Sequence, residues 1–274
     1  MSYKTILVHV DAGKRCAARV EIAIALARQY GAHLIGLYAM PLVELPGYVQ
    51  AGGMSGAELN RRRADELVER AKAAFNNALS AAGLPSAEWY TSELNAVDAV
   101  ALHARYADLI VVGQPQAEDD SGIGSGFSGH VVREAGRPVL MVPYVGAFPS
   151  IGKRILIGWK ATREAIRAVD DAIPFLLQAE AIRVLVIDPR PGEHGAMPED
   201  IAPYLARHGV KVEVHVDRAA QNDVGNEILS RAADFSADLI VMGAYGHSRF
   251  REIMLGGATR TMIDSMTVPV LMSN

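Results

Sequence analysis

A stretch near the C-terminal end of the chain has the residue types and spacing of an anion-binding loop. Gly243 and Gly246 are separated by two residues, and nine further residues lead to the pair Gly256 and Gly257. Glycine leaves backbone N–H groups accessible because it has no Cβ, and the first turn of a helix carries a partial positive charge. Thr259, in the helix predicted to follow, adds a hydroxyl group. These residues predict a site for an anion such as a phosphate group.

Polar side chains inside the loop have two interpretations. His247, Ser248 and Arg249 directly follow the second glycine, where they can contact a phosphate group. Alternatively, they belong to a polar loop in which Arg249 and Arg251 pair with Glu252 or face solvent. The residues alone leave both interpretations open.

The elements that must position this loop are strands and helices in alternation. Short β-branched runs alternate with longer Ala- and Leu-rich segments of helical period, which is typical of βαβ units and a parallel sheet. The strands are apolar almost throughout, as expected when helices cover both faces of the sheet. In the first part of the chain the pattern predicts strands over 4–10, 33–39, 87–92, 108–113 and 138–143, and helices over 14–30, 57–82, 96–106 and 127–136.

The sequence also repeats itself, which explains its length of 274 residues. The change in offset between matching blocks indicates that the first copy holds about 19 residues more than the second, and we place this insertion near 41–60. We predict two domains, 1–146 and 152–274. The matching blocks, at offsets of 149, 130 and 131 positions, are 4–10 with 153–159, 107–113 with 237–243, and 137–142 with 268–272.

The glycine spacing in its context resembles the signature of a known family. Gly243, Gly246 and Gly256, preceded by an Asp-Leu-Ile-Val strand and followed by a Val-Pro-Val-Leu strand, resemble the nucleotide-binding signature of the universal stress protein family. The duplication is similar to the family's tandem two-domain members, and the resemblance covers essentially the whole chain.

This resemblance implies a fold, a ligand and an assembly. The implied fold is α/β, with two tandem copies of an open five-stranded parallel sheet in the order 3-2-1-4-5 and helices on both faces. The implied ligand is ATP or AMP, as in some members, and the implied role is regulation, sensing and stress survival. Because members commonly pair through the fifth strand, we expect an internal pseudo-dimer of the two copies and, beyond it, a homodimer.

The two copies depart from the family pattern in opposite ways. Ligand-binding members carry an Asp after the first strand and a Ser or Thr after the third signature glycine. The first copy has Asp11, but after Gly113 it lacks the second glycine and carries three carboxylates at 118–120, which repel a polyphosphate. The second copy has the glycine loop, but Lys160 stands at the Asp position and Gly257 at the Ser or Thr position. We therefore predict a nucleotide site in the second copy and a degenerate site in the first.

Lys160 itself has two interpretations. Its ammonium group at the end of a strand can attract a phosphate or carboxylate ligand, or it can be a solvated surface lysine. Neighbouring Trp159 either stacks on a base or fills the pocket.

Composition excludes several other classes of protein. With 27 basic and 31 acidic residues the formal net charge is −4, so no general cationic field attracts nucleic acid. The apolar runs are far shorter than the roughly 18 residues of a membrane span, so no membrane association is expected. Cys16 is the single cysteine, and the N-terminus runs directly into a predicted strand, so we expect a cytoplasmic protein. The eight histidines show no ligand spacing, and no metal site is predicted.

Three functions are compatible with this pattern. We predict a stress-response regulator or sensor that binds an adenine nucleotide in the second copy with at most weak ATPase activity, because the chain lacks a nucleophile elbow and a P-loop. One alternative is a nucleotide-independent protein-interaction module, motivated by the split site and the insertion at 41–60. The other is an enzyme that cleaves a nucleotide slowly.

Overall fold

Strands and helices alternate along the chain. The computed structural model describes residues 2–40, 56–115, 124, 126–188, 200–218, 223–246 and 257–274, and every structural statement below refers to these residues. The strands are β1 (Thr5–Val10), β2 (His33–Ala39), β3 (Ala87–Ser92), β4 (Leu109–Gly113), β5 (Val139–Val142), β6 (Arg154–Trp159), β7 (Ala181–Ile187), β8 (Glu213–Asp217), β9 (Leu239–Gly243) and β10 (Val270–Ser273). The helices are α1 (Cys16–Tyr30), α2 (Gly56–Ala82), α3 (Ala96–Ala104), α4 (Phe127–Glu134), α5 (Arg163–Leu176), α6 (Ile201–Arg207), α7 (Val224–Asp234) and α8 (Gly257–Ser265).

All ten of these strands form one sheet, in the order β3-β2-β1-β4-β5-β10-β9-β6-β7-β8. We call β1 to β5 with α1 to α4 the first half, and β6 to β10 with α5 to α8 the second half. Within each half the strands are parallel and follow the order 3-2-1-4-5, so the fold class expected from the sequence is confirmed. The two halves join where β5 and β10 pair antiparallel, with Leu140 opposite Leu271.

The apolar strands are buried on both sides, as their composition predicts. Five of the six residues of β1 are buried, and side chains at alternate positions enter two different clusters. Ile6 and Val8 belong to the cluster on one face of the sheet, whereas Leu7 belongs to the cluster on the other face. Burial of both faces provides the main hydrophobic stabilisation of such a sheet. None of the helices in the described ranges is long and apolar enough to cross a membrane.

Helix α1 carries a buried apolar stripe. Val20, Ala23, Ala27 and Tyr30 are buried, and Gly31 closes the helix with a left-handed backbone at φ 61°. Cys16, in the first turn, is only partly buried. Arg19 is a charged residue of the same helix that is also buried, and it belongs to the site described below.

The two halves differ most in the connection between the second and third strands. In the first half α2 has 27 residues, whereas α6 in the second half has seven. The insertion predicted at 41–60 lies outside the described residues up to residue 55, and its last five residues begin α2.

An aromatic cluster joins the halves on one face of the sheet. The rings of Tyr3 and Tyr30, from the first half, have centroids 5.0 Å apart, and each lies 5.6 Å from the ring of Phe175 in α5. The Tyr3 hydroxyl donates a hydrogen bond of 2.6 Å to the Asp171 carbonyl oxygen. Edge-to-face aromatic pairs contribute about 0.5–1.5 kcal/mol each beyond the burial of their area. The two halves are therefore held together by packing as well as by the β5–β10 pair.

Candidate functional site

Each half has one place where the strand order reverses. In the first half β1 has β2 on one side and β4 on the other, and in the second half β6 lies between β7 and β9 in the same way. Open α/β sheets bind ligands beyond the carboxyl ends of the strands at such switch points. We therefore compare the two crevices at the ends of β1 and β4 and of β6 and β9.

Gly243, the first signature glycine, is required by packing whether or not a ligand binds. A Cβ placed on Gly243 would lie 2.5 Å from the Ala165 nitrogen and 2.6 Å from the Glu164 carbonyl carbon, which are backbone atoms of α5. A side chain there would force the helix away from the sheet. The first signature glycine thus allows α5 to approach β9 closely.

Gly246, the second signature glycine, faces polar side chains. A Cβ placed on it would lie 3.3 Å from Oε2 of Glu164 and 3.5 Å from Oγ1 of Thr162. Thr162 caps α5, because its hydroxyl oxygen accepts a hydrogen bond of 3.4 Å from the Ala165 nitrogen. The Glu164 side chain is only 13% exposed, and its Oε1 lies 3.4 Å from Nη2 of the exposed Arg163. A carboxylate and a hydroxyl therefore form the wall opposite this glycine.

The structure describes three of the remaining predicted residues of the second-half site. Gly257 begins α8, and a Cβ placed on it would meet no atom of the described residues within 4 Å, so open space lies beside it in this part of the structure. Lys160 is exposed, and its carbonyl oxygen accepts a hydrogen bond of 2.6 Å from the Thr162 nitrogen. Thr259 is buried, and its hydroxyl oxygen accepts a bond of 3.5 Å from the Tyr245 nitrogen. The predicted site residues His247, Ser248, Arg249 and Gly256 lie outside the described residues.

The loop also reaches the first half. Tyr245 lies between the first two signature glycines with a left-handed backbone, at φ 63°. Its hydroxyl donates a hydrogen bond of 2.8 Å to the carbonyl oxygen of Gly129 in α4. In the reverse direction, the buried Gln114 side chain donates bonds of 2.9 and 3.2 Å to the Ile263 and Asp264 carbonyl oxygens of α8. Each half thus anchors the loop that follows the fourth strand of the other.

The first-half crevice holds a buried ion pair. Nη2 of Arg19 lies 2.6 Å from Oδ2 of Asp11, and the two side chains are 5% and 9% exposed. Arg19 Nε also donates a bond of 2.8 Å to the His9 carbonyl oxygen, and its Nη1 would clash with a Cβ placed on Gly113. Burial lowers the pKa of Arg19. The negative charge of Asp11, together with further contacts, raises it by more, so the net shift is upward. Arg19 therefore occupies the space between the ends of β1 and β4.

Asp11 is consequently held by the protein itself. Besides the contact with Arg19, its Oδ1 accepts a bond of 2.9 Å from the Gly13 nitrogen. The resemblance implies a ligand contact for this carboxylate, but here its oxygens bind groups of the same chain. The Ser128 hydroxyl, near the end of the degenerate loop, likewise donates a bond of 2.7 Å to the Gly113 carbonyl oxygen.

His9 completes this cluster as a neutral side chain. It is 1% exposed, and burial lowers its pKa to about 4, while Asp11 raises and Arg19 lowers it to smaller extents. Its Nδ1 lies 3.6 Å from Oδ2 of Asp11, and its ring centroid lies 4.8 Å from that of Phe127. At neutral pH the cluster therefore contains one negative and one positive charge.

Sequence reasoning missed Arg19 and Glu164, although the repeat held a signal for both. At the offset of 149 positions Arg19 corresponds to Ala168, Asp11 corresponds to Lys160, and Glu164 corresponds to Arg15. A charge that differs between two copies of one fold marks a position where the two sites differ, and the repeat shows such a difference at all three positions. The helical stripe alone indicated only apolar residues.

Other parts of the described structure do not add to either crevice. A groove of about 510 Å³ lies between α3 and α4, where Asp98, Leu102 and His130 are among its lining residues. It is distinct from both switch points. Among the described residues, no group of three His, Cys, Asp or Glu side chains is placed to hold a metal ion.

The fold and the site define a class: a tandem, doubly wound α/β protein with a candidate nucleotide loop at one of its two switch points. A family model described as the universal stress protein family matches residues 2–143 and 152–274. The chain belongs to the universal stress protein family.

Two solved structures share this fold over nearly the whole chain. A universal stress protein from Archaeoglobus fulgidus DSM 4304 is 16% identical with a TM-score of 0.76, over 98% of this chain and 96% of that one. A putative universal stress protein from Pseudomonas aeruginosa UCBPP-PA14 is 18% identical with a TM-score of 0.64, over 99% and 93%. A universal stress protein in complex with cAMP is 26% identical with a TM-score of 0.36, over 53% of this chain and 100% of that one. A comparison with curated protein sequences finds no match.

Proposed function

We propose that this chain is a cytoplasmic stress-response regulator or sensor that binds an adenine nucleotide, ATP or AMP, in its second half with little or no turnover. The contrast between the two switch points carries this proposal. In the first half a buried arginine fills the crevice and neutralises Asp11. In the second half the position equivalent to Arg19 is the small, buried Ala168. The proposal assigns the nucleotide to the domain that we place at 152–274, and the degenerate site to the domain that we place at 1–146.

The proposed site uses the residues around the glycine loop. Open space beside Gly257, at the first turn of a nine-residue helix, supports a position for a phosphate group. We assign the phosphate contacts to backbone N–H groups near Gly246 and Gly256 and to side chains of His247, Ser248 and Arg249, following the family signature. Lys160 and Thr259 complete the proposed site.

A thermal-shift titration with ATP, ADP and AMP tests the proposal. A ligand that binds only the native state stabilises it by about 2.7 kcal/mol at 100 times its Kd, so Tm must rise with ligand concentration. In Gly257→Asp the new carboxylate occupies the open space and repels phosphate. The variant should still fold, because an acidic residue in the first turn of a helix stabilises that helix. Gly124→Asp, in the degenerate copy, is the matched control, because a Cβ there also meets open space. Absence of any shift at millimolar nucleotide in the unmodified protein would overturn the proposal.

A second candidate is a nucleotide-independent protein-interaction module. The close packing of Gly243 against α5 favours this candidate, because it explains one signature glycine without any ligand. If this candidate is correct, the titration gives no shift, and Gly257→Asp leaves binding of the cellular partner unchanged.

A homodimer of this protein needs a surface other than the fifth strands. β5 already has β4 and β10 as neighbours, and β10 has β5 and β9. We propose that any homodimer forms through another surface of the molecule. Light scattering distinguishes the 29.4 kDa monomer from a dimer.

A further inference from the structure

We propose that Glu164 makes the second-half site selective for ligands of low phosphate charge, so that AMP binds more tightly than ADP or ATP when no divalent cation is present. This inference rests on the proposed nucleotide site and names the charge class of its ligand. Glu164 is a specificity-determining residue in this proposal and has no part in any reaction.

The position of Glu164 follows from the elements around it. β6 ends at Trp159, and α5 begins at Arg163, so Glu164 lies in the first turn of the helix at the carboxyl end of the strand. β6 pairs in parallel with β9, from Ile155 opposite Leu239 to Gly158 opposite Met242. The first turn of α5 and the residues after Gly243 are therefore brought to the same edge of the sheet.

The carboxylate of Glu164 faces the loop. A Cβ on Gly246 would lie 3.3 Å from its Oε2, which places the carboxylate beside the backbone that the signature assigns to phosphate. The side chain is 13% exposed, so water screens its charge less than it screens that of a surface residue. The contact between its Oε1 and Arg163 compensates little, because the Arg163 side chain is 75% exposed.

The consequence is a repulsion that grows with the charge of the ligand. Each additional phosphate on a nucleotide adds negative charge close to the carboxylate, and like charges a few ångströms apart in a partly buried site repel strongly. Adenosine carries no such charge and is indifferent to Glu164. AMP exposes a single phosphate, whereas ADP and ATP bring further charges into the same space.

The first half shows that the fold does not require an acid at this position. The equivalent residue is Arg15, whose Nη2 donates a hydrogen bond of 2.6 Å to the Gly146 carbonyl oxygen. A purely structural role is available to Glu164, since an acidic side chain in a first helical turn stabilises the helix. That role affects Tm without ligand but leaves the ranking of ligands unchanged, so the ranking is the decisive measurement.

The experiment measures Kd for adenosine, AMP, ADP and ATP by calorimetry in EDTA at low ionic strength. Glu164→Gln retains the shape of the side chain and removes its charge. Glu180→Gln is the matched control, because Glu180 is 66% exposed, pairs with Lys153 at 3.3 Å and undergoes the same change of charge. Glu164→Asp retains the charge and separates its effect from that of side-chain shape.

We expect the unmodified protein, Glu180→Gln and Glu164→Asp to bind AMP more tightly than ATP. We expect Glu164→Gln to increase the affinity for ATP by about tenfold and to leave that for adenosine unchanged. An identical ratio of ATP to AMP affinity in Glu164→Gln and the unmodified protein overturns the inference and leaves the nucleotide site standing. Failure of every nucleotide to bind both proteins overturns the nucleotide site, and the inference with it.

Discussion

The crevice beside β1 and the crevice beside β6 are equivalent places in two copies of one fold, and different atoms fill them. In the first, a buried arginine reaches from α1 to Asp11 and lies against Gly113. In the second, Ala168 replaces the arginine, and a carboxylate from α5 faces Gly246. A glycine that follows the fourth strand is therefore not by itself a sign of a ligand, because a side chain of the same chain or the backbone of a helix can require it.

The two halves share one scaffold and differ at their switch points. Both halves retain the strand order 3-2-1-4-5 and both contribute a fifth strand to the central pair. The groups at the strand ends differ in charge, since Asp11 and Arg15 in the first half correspond to Lys160 and Glu164 in the second.

Removing the arginine from the first crevice has the largest expected effect. Arg19→Ala leaves the Asp11 carboxylate buried without its cation, and breaking a buried pair in this way costs about 3–5 kcal/mol of unfolding free energy. Urea unfolding followed by circular dichroism measures the loss. Arg28→Ala, at an exposed position of the same helix, is the control and should change stability by less than about 0.5 kcal/mol.

The double variant Asp11→Ala with Arg19→Ala refines this prediction. Because it removes both charges, we expect it to be more stable than Arg19→Ala alone. A double variant that is less stable than the single one would show that Asp11 does not depend on Arg19.

The neutral His9 predicts a pH dependence that belongs to the first half. Its pKa is about 4 in the folded protein and 6.5 without perturbation, so the unfolded chain binds more protons in that interval. The contribution of His9 is fully present above about pH 6.5 and decreases as pH falls to about 4, by roughly 3 kcal/mol in total. Unfolding curves between pH 7 and pH 4 measure it, and the corresponding slope should be smaller in His9→Gln. Equal slopes in the two proteins would contradict the buried neutral state.

The two signature glycines should respond differently to the same substitution. In Gly243→Ala the new methyl group meets the backbone of α5, and overpacking of this kind costs about 1–3 kcal/mol. In Gly246→Ala it meets the end of the flexible Glu164 side chain, so the unfolding free energy should change by less than about 1 kcal/mol. Thermal unfolding of both variants without ligand is the measurement. Equal losses would mean that packing governs both positions.

The contact between the glycine loop and the first half has the smallest expected effect. Tyr245→Phe removes the hydrogen bond to the Gly129 carbonyl oxygen and should lower stability by about 1 kcal/mol. Tyr106→Phe is the control, because Tyr106 is 79% exposed. A loss of stability in Tyr106→Phe as large as that in Tyr245→Phe would indicate that the bond across the halves contributes nothing.

Much of the scaffold was predictable from the sequence, since it depends on local patterns. Apolar runs and helical stripes located the elements, and strands over 33–39 and 87–92 match β2 and β3 residue for residue. The repeat of three blocks indicated two copies of one fold, and the resemblance to the family supplied the strand order. The opposite defects of the two glycine loops were also visible in the residues.

Tertiary structure alone decided what occupies each crevice. Arg19 contacts Asp11, eight residues away, only because α1 packs over the end of β1, and it approaches Gly113 only because β4 pairs with β1. Glu164 faces Gly246 for the same reason in the second half, where β6 and β9 are neighbours. Hydrophobic periodicity records which face of an element is buried, and it contains no information about charged side chains that meet at the ends of strands distant in sequence. The sequence therefore determined the two frameworks, and packing between their elements decided which charges meet at each switch point.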